Sequence, residues 1–163
     1  MKRIYTKQVS QKEYISFAGM IAGCVATVPM TLFLLGAHRF LPRWQRYALP
    51  PEEVTKELAQ RVHLERYLDK PRLLASSLVF HFGYGATMGG LYGPLSELIR
   101  LPAFLKGALF GIAIWAASYL GWMPLARISV EAPHEPLQRN LMMIIAHIIW
   151  GSVTGILAKR LHR

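Results

Sequence analysis

His81-Phe82-Gly83-Tyr84-Gly85-Ala86-Thr87-Met88-Gly89-Gly90 sets a histidine first and glycines four and eight residues later. The same beat returns in His147-Ile148-Ile149-Trp150-Gly151-Ser152-Val153-Thr154-Gly155, with an aromatic residue at +3 in both copies. Residues four apart lie on one face of an α-helix. Both stretches sit within apolar runs, so the pattern reads as a repeated helix face inside a membrane.

The composition agrees. Of 163 residues, 53% are hydrophobic and 17% charged, and the mean hydropathy is +0.27. A soluble domain carries about 25% charge. The expected fold is all-α: a polytopic membrane protein with four transmembrane helices, arranged as two repeated helical hairpins in one membrane domain over residues 1–163. The spans are predicted at about 14–36, 73–92, 103–122 and 140–158, with an amphipathic helix at about 51–68 in the first loop.

Net charge is +10. The basic residues flank apolar runs, so lipid headgroups are the expected partner and nucleic acid is not. Cys24 is the single cysteine, which rules out an intrachain disulfide; among small residues in an apolar helix it reads as packing. The basic N-terminus precedes an apolar run too long for the 7–15 residues of a signal-peptide core, so a retained first span is expected.

Inside that span, Pro29 removes a backbone bond and should kink the helix, with Thr27 and Thr31 placed to satisfy freed groups. Trp44 and Tyr47 among arginines read as an interfacial belt. Pro50-Pro51-Glu52-Glu53 marks a helix start. Val54, Leu58 and Val62 then form an apolar stripe opposite a charged face, which suits a helix lying on the membrane or capping the bundle. Asp69-Lys70-Pro71 reads as its end. Four spans put both termini on one side. Lys and Arg divide almost evenly between the sides, and the basic N-tail points to cytoplasmic termini.

Gly19 and Gly23 in the first span match Gly107 and Gly111 in the third; His81, Gly85 and Gly89 match His147, Gly151 and Gly155. Two spans per half make the halves parallel repeats about an axis along the membrane normal. Glycines on one face let helix backbones touch, the main source of packing where lipid supplies no hydrophobic drive.

Parallel repeats place His81 and His147 nearly level, at about 12 and 10.5 Å from the same surface. An ionisable residue inside a membrane points to function by default. The pair could ligate a b-type haem, with glycines making room for the macrocycle. A metal would need Glu97 or His134 to join them. Proton relay, or a quinone or small solute held by hydrogen bonds, is a further reading. The plain structural reading gives each histidine an interhelical hydrogen bond, to a backbone carbonyl or to Thr87, Ser152 or Thr154. No nucleophile and base pair, phosphate loop, CxxC or HExxH is present, so an enzyme is not expected.

The chain also resembles small uncharacterised bacterial inner-membrane proteins, the YagU-like group among them. The resemblance rests on Ala26-Thr27-Val28-Pro29-Met30-Thr31, Leu49-Pro50-Pro51-Glu52-Glu53-Val54-Thr55, His81 with its glycines, Trp115-Ala116-Ala117-Ser118-Tyr119-Leu120-Gly121-Trp122-Met123-Pro124, and Ala146-His147-Ile148-Ile149-Trp150-Gly151. It implies a four-helix protein of the bacterial inner membrane and assigns no activity. The expected function is non-enzymatic bundle packing, or binding of a partner or small solute. The alternatives are a haem- or quinone-binding redox subunit and a proton or solute pathway. Expected partners are the bilayer and a second copy or another membrane protein.

Overall fold

A computed structural model describes the backbone of residues 2–128 and 135–162, with side chains from residue 11 onward. Among the described residues every element is helical: α1 (Lys2–His38), α2 (Pro50–Arg61), α3 (Lys70–Ser96), α4 (Ala103–Ala117), a five-residue π turn (Ser118–Trp122), the one-turn α5 (Met123–Leu125) and α6 (Leu137–Leu161). Short 3-10 turns lie at Arg43–Gln45 and Glu65–Tyr67.

Three helical stretches are long and apolar enough to cross a membrane: Gln11–His38, Ala103–Leu125 and Leu137–Leu161. Three of the four expected spans are found among these; the expected second span, which falls on α3, is not. With 27 residues, α3 extends about 40 Å, so length is not what sets it apart. Its serines, glycines, Tyr84, Thr87 and His81 lower its hydropathy.

Local chemistry explains the helix ends. The Asp69 side chain accepts a hydrogen bond from the Arg72 N–H at 3.1 Å, and Pro71 occupies the first turn. Asp69 therefore caps the start of α3 rather than ending the preceding helix. That preceding helix stops at Arg61, short of the expected residue 68, because His63 turns left-handed at φ 57°. Pro94 lies within the last turn of α3, which continues to Ser96 past the expected boundary at 92. In α1 the helix is continuous through Pro29. The threonine hydroxyls donate to Gly23 O (2.9 Å) and Thr27 O (2.7 Å). Neither reaches the Val25 carbonyl that proline leaves free, so their role differs from the one expected.

The third span also departs from expectation. Pro124 has no N–H to offer the Leu120 carbonyl four residues back, and its ring crowds that carbonyl. The chain responds by widening: the Met123 N–H bonds Ser118 O, five residues back, and Gly121 takes φ −117°, ψ −105°.

The helices pair as α1 with α3 and α4 with α6, and α1 packs along α6 to join the pairs. A Cβ added at Gly19 would collide with the Gly89 carbonyl, and one at Gly23 with the Gly85 carbonyl. Likewise Gly107 meets Gly151, Gly111 meets the His147 carbonyl, and Gly155 meets Ala103. Numbers rise on one helix as they fall on the other, so both pairs are antiparallel. The two seams differ by one turn: Gly19 faces Gly89, whereas its counterpart Gly107 faces Gly151 rather than Gly155. Between α1 and α6, the fully buried Ala22, Ala26 and Ala146 allow close approach. The Trp150 indole N–H donates to Gly23 O at 3.0 Å, and the Tyr14 hydroxyl donates to Leu161 O at 2.8 Å.

Candidate functional site: a cavity between the two helix pairs

The glycine seams draw α3 to α1 and α4 to α6, while α3 and α4 share few contacts. A cavity of about 170 Å³ opens between them. Its walls are Thr27, Met30 and Leu34 from α1, His81 and Tyr84 from α3, Ile114 and Tyr119 near the π turn, and Met143, His147 and Trp150 from α6. Pro50, Pro51 and Val54 at the start of α2 close one end.

A buried arginine holds that closing segment. The Arg139 side chain is 3% exposed. It donates to the carbonyls of Gln45 (3.2 Å), Tyr47 (3.3 Å) and Ala48 (2.5 Å), and pairs with the Glu135 carboxylate at 3.4 Å. Its guanidinium carbon lies 3.6 Å from the centre of the Tyr47 ring, a cation–π contact. The Tyr47 hydroxyl donates to Glu135. Burial, then the bond to Glu135, push the Tyr47 phenol up to about 12 against the pull of Arg139. Glu53, on the first turn of α2, is raised by burial, with Arg139 opposing and Glu135 and Glu52 adding. The three carbonyl bonds fix the 45–48 backbone, and so the approach of α2 to the cavity.

Inside, His147 is buried, and its Nδ1 lies 2.8 Å from Met143 O. Its ring meets Tyr119 edge-on at 6.1 Å. His81 is half-buried, with Nδ1 3.4 Å from Thr31 Oγ1. Thr87 and Thr154 donate to carbonyls of their own helices, Gly83 O and Trp150 O. Those threonines therefore do not partner the histidines. Tyr84 and Ser118 hydroxyls meet at 3.1 Å beside the cavity, bridging α3 and the π turn.

The two histidines thus line one space. The packing glycines lie in the helix seams, except Gly85, which also borders the cavity. Glu97 lines a second cavity with Lys106 and Lys159 at the other end of the bundle, and His134 lies outside the described residues. The metal reading therefore gains no third ligand from Glu97, and no group of three His, Cys, Asp or Glu side chains could hold a metal among the described residues. Sequence reasoning missed Arg139, Tyr119 and the Tyr84 and Ser118 bridge. Ser118-x-x-Gly121-x-x-Pro124 was the available signal for the π turn, and a lone arginine at the start of an apolar helix was the signal for Arg139.

No curated protein and no solved structure matches the chain. A family described as a protein of unknown function, DUF1440, matches residues 31–156. The match takes in His81, Arg139, His147 and the π turn and leaves out Gly19 and Gly23. The chain therefore belongs to the DUF1440 family.

Proposed function

We propose that the protein is an integral membrane protein of four spans, built as two repeated hairpins, that binds a small, mainly apolar molecule in the cavity between them. One observation carries this: His81 and His147, from different hairpins, line the same largely apolar space. Polar groups placed inside a membrane bundle are costly and mark sites of use. The length of α3 and its antiparallel run along α1 support its role as the fourth span. A cavity of about 170 Å³ resembles in size an engineered cavity of about 150 Å³ that admits benzene. The sparse contact between α3 and α4 beside the cavity offers an approach from the bilayer. The resemblance of the sequence to bacterial inner-membrane proteins supports that location.

The glycine faces that a haem macrocycle would need for room are filled by neighbouring backbone and, at Gly85, by the Thr27 side chain, which favours the smaller ligand. An absorption spectrum after expression with haem available is expected to show no Soret band. The test of binding is p-xylene added to detergent-solubilised protein. It should raise the melting temperature of the wild type and leave a cavity-filling Val54→Trp variant unmoved. Equal shifts in both, or none in the wild type, would reject the cavity as a binding site.

A further inference from the structure

The hydrogen bonds around the two imidazoles state which way a ligand must bond. A carbonyl oxygen only accepts, so His147 Nδ1, at 2.8 Å from Met143 O, carries the ring hydrogen. A neutral imidazole has one N–H, so His147 Nε2 holds a bare lone pair. The neutral form is the one a buried ring without a carboxylate partner keeps. The same logic reaches His81. Thr31 has one hydroxyl hydrogen, and it goes to Thr27 O at 2.7 Å. Toward His81 the Thr31 oxygen therefore accepts, across a long 3.4 Å contact, and Nδ1 again carries the hydrogen. Among the described residues neither Nε2 has a hydrogen-bond partner. His147 is only 8% exposed, yet its Nε2 is not among the buried atoms sealed away without a partner; the cavity is what it borders.

Several other polar groups on the wall are already engaged. Thr27 and Trp150 donate to Gly23 O, and Tyr84 and Ser118 hydroxyls bond each other. Tyr119 adds a hydroxyl without a hydrogen-bond partner among the described residues. The wall therefore offers two lone-pair acceptors, beside hydroxyls of Tyr119 and the Tyr84 and Ser118 pair that can also donate, set in apolar surroundings of aromatic rings and methionines.

We infer that the cavity takes a neutral, ring-sized apolar molecule that donates hydrogen bonds through hydroxyl groups to Nε2 of His81 and His147, a dihydroxy ring of the hydroquinol class. A purely apolar ring leaves both lone pairs unpaired, and a ligand carrying only acceptors can bond the wall hydroxyls but not the two imidazoles. This inference rests on the cavity being a binding site, and the test separates the two.

The test uses probes of one shape, p-xylene and hydroquinone, with 1,4-difluorobenzene as a ring without donors. Affinities for wild type and His147→Phe are measured in one detergent. The ratio of hydroquinone to p-xylene affinity should fall about tenfold in the variant, the loss of about one hydrogen bond. A second reading does not depend on the variant folding. In ¹⁵N-histidine NMR of the wild type, the lone-pair nitrogens should move on adding hydroquinone and stay still with 1,4-difluorobenzene. If p-xylene binds and the ratio is unchanged, or hydroquinone leaves both nitrogens unmoved, the donor inference is wrong and water alone pairs with them. If p-xylene does not bind the wild type, the cavity reading itself fails.

Discussion

At the scale of single residues, Arg139 has partners that explain an otherwise costly burial. Three carbonyls, a carboxylate and an aromatic face surround its guanidinium. Removing one partner of a buried ion pair leaves the other uncompensated and costs about 3–5 kcal/mol. Arg139→Ala should lower the melting temperature sharply and free α2, seen as faster hydrogen exchange over residues 50–61. An unchanged melting point would detach Arg139 from the fold. Glu53 gives a pH signature. Its carboxyl is raised from the ordinary 4.5 mainly by burial, so the folded state holds its proton more tightly than the unfolded chain. The stability it contributes is fully present below 4.5 and is lost as pH rises through its folded value. Glu53→Gln should therefore raise the melting temperature at neutral pH, with the gain closing below pH 4.5. A gain that persists at acid pH would point to another cause. The histidines were legible in the sequence because a polar ring stands out in an apolar run. Arg139 was not, since the carbonyls it binds lie 91 to 94 residues away.

At the scale of elements, the helix seams depend on backbone touching backbone. An added methyl at Gly151 would strike the Gly107 carbonyl, whereas at Gly83 it would meet open space. Gly151→Ala should destabilise by about 1–3 kcal/mol through overpacking. Gly83→Ala should be neutral or stabilising by up to about 1 kcal/mol through helix propensity. Thermal unfolding in detergent reads both, and equal effects would remove the seams as the source of packing. The spacing of these glycines was visible in the sequence. Their partners were not: the one-turn difference between the seams depends on where whole helices settle against each other. The π turn was missed because Pro124 reads as an ordinary breaker, and only the continuing chain reveals that the helix widens instead of stopping.

At the scale of the molecule, bunched apolar residues were enough to read an all-helical, membrane-compatible chain. Three helices are apolar enough to cross a membrane, and α3 falls short of them because it carries glycines and polar side chains turned toward α1 and the cavity. The hairpin arrangement, and the cavity within it, depend on α3 crossing the bilayer alongside α1. Single cysteines at Arg43, Leu98 and His162 in a Cys24→Ser background, labelled by an impermeant maleimide in vesicles of both orientations, measure this directly. With four spans, positions 98 and 162 label from one face and position 43 from the other. If positions 43 and 98 label from the same face, α3 does not cross and the account of the bundle is wrong.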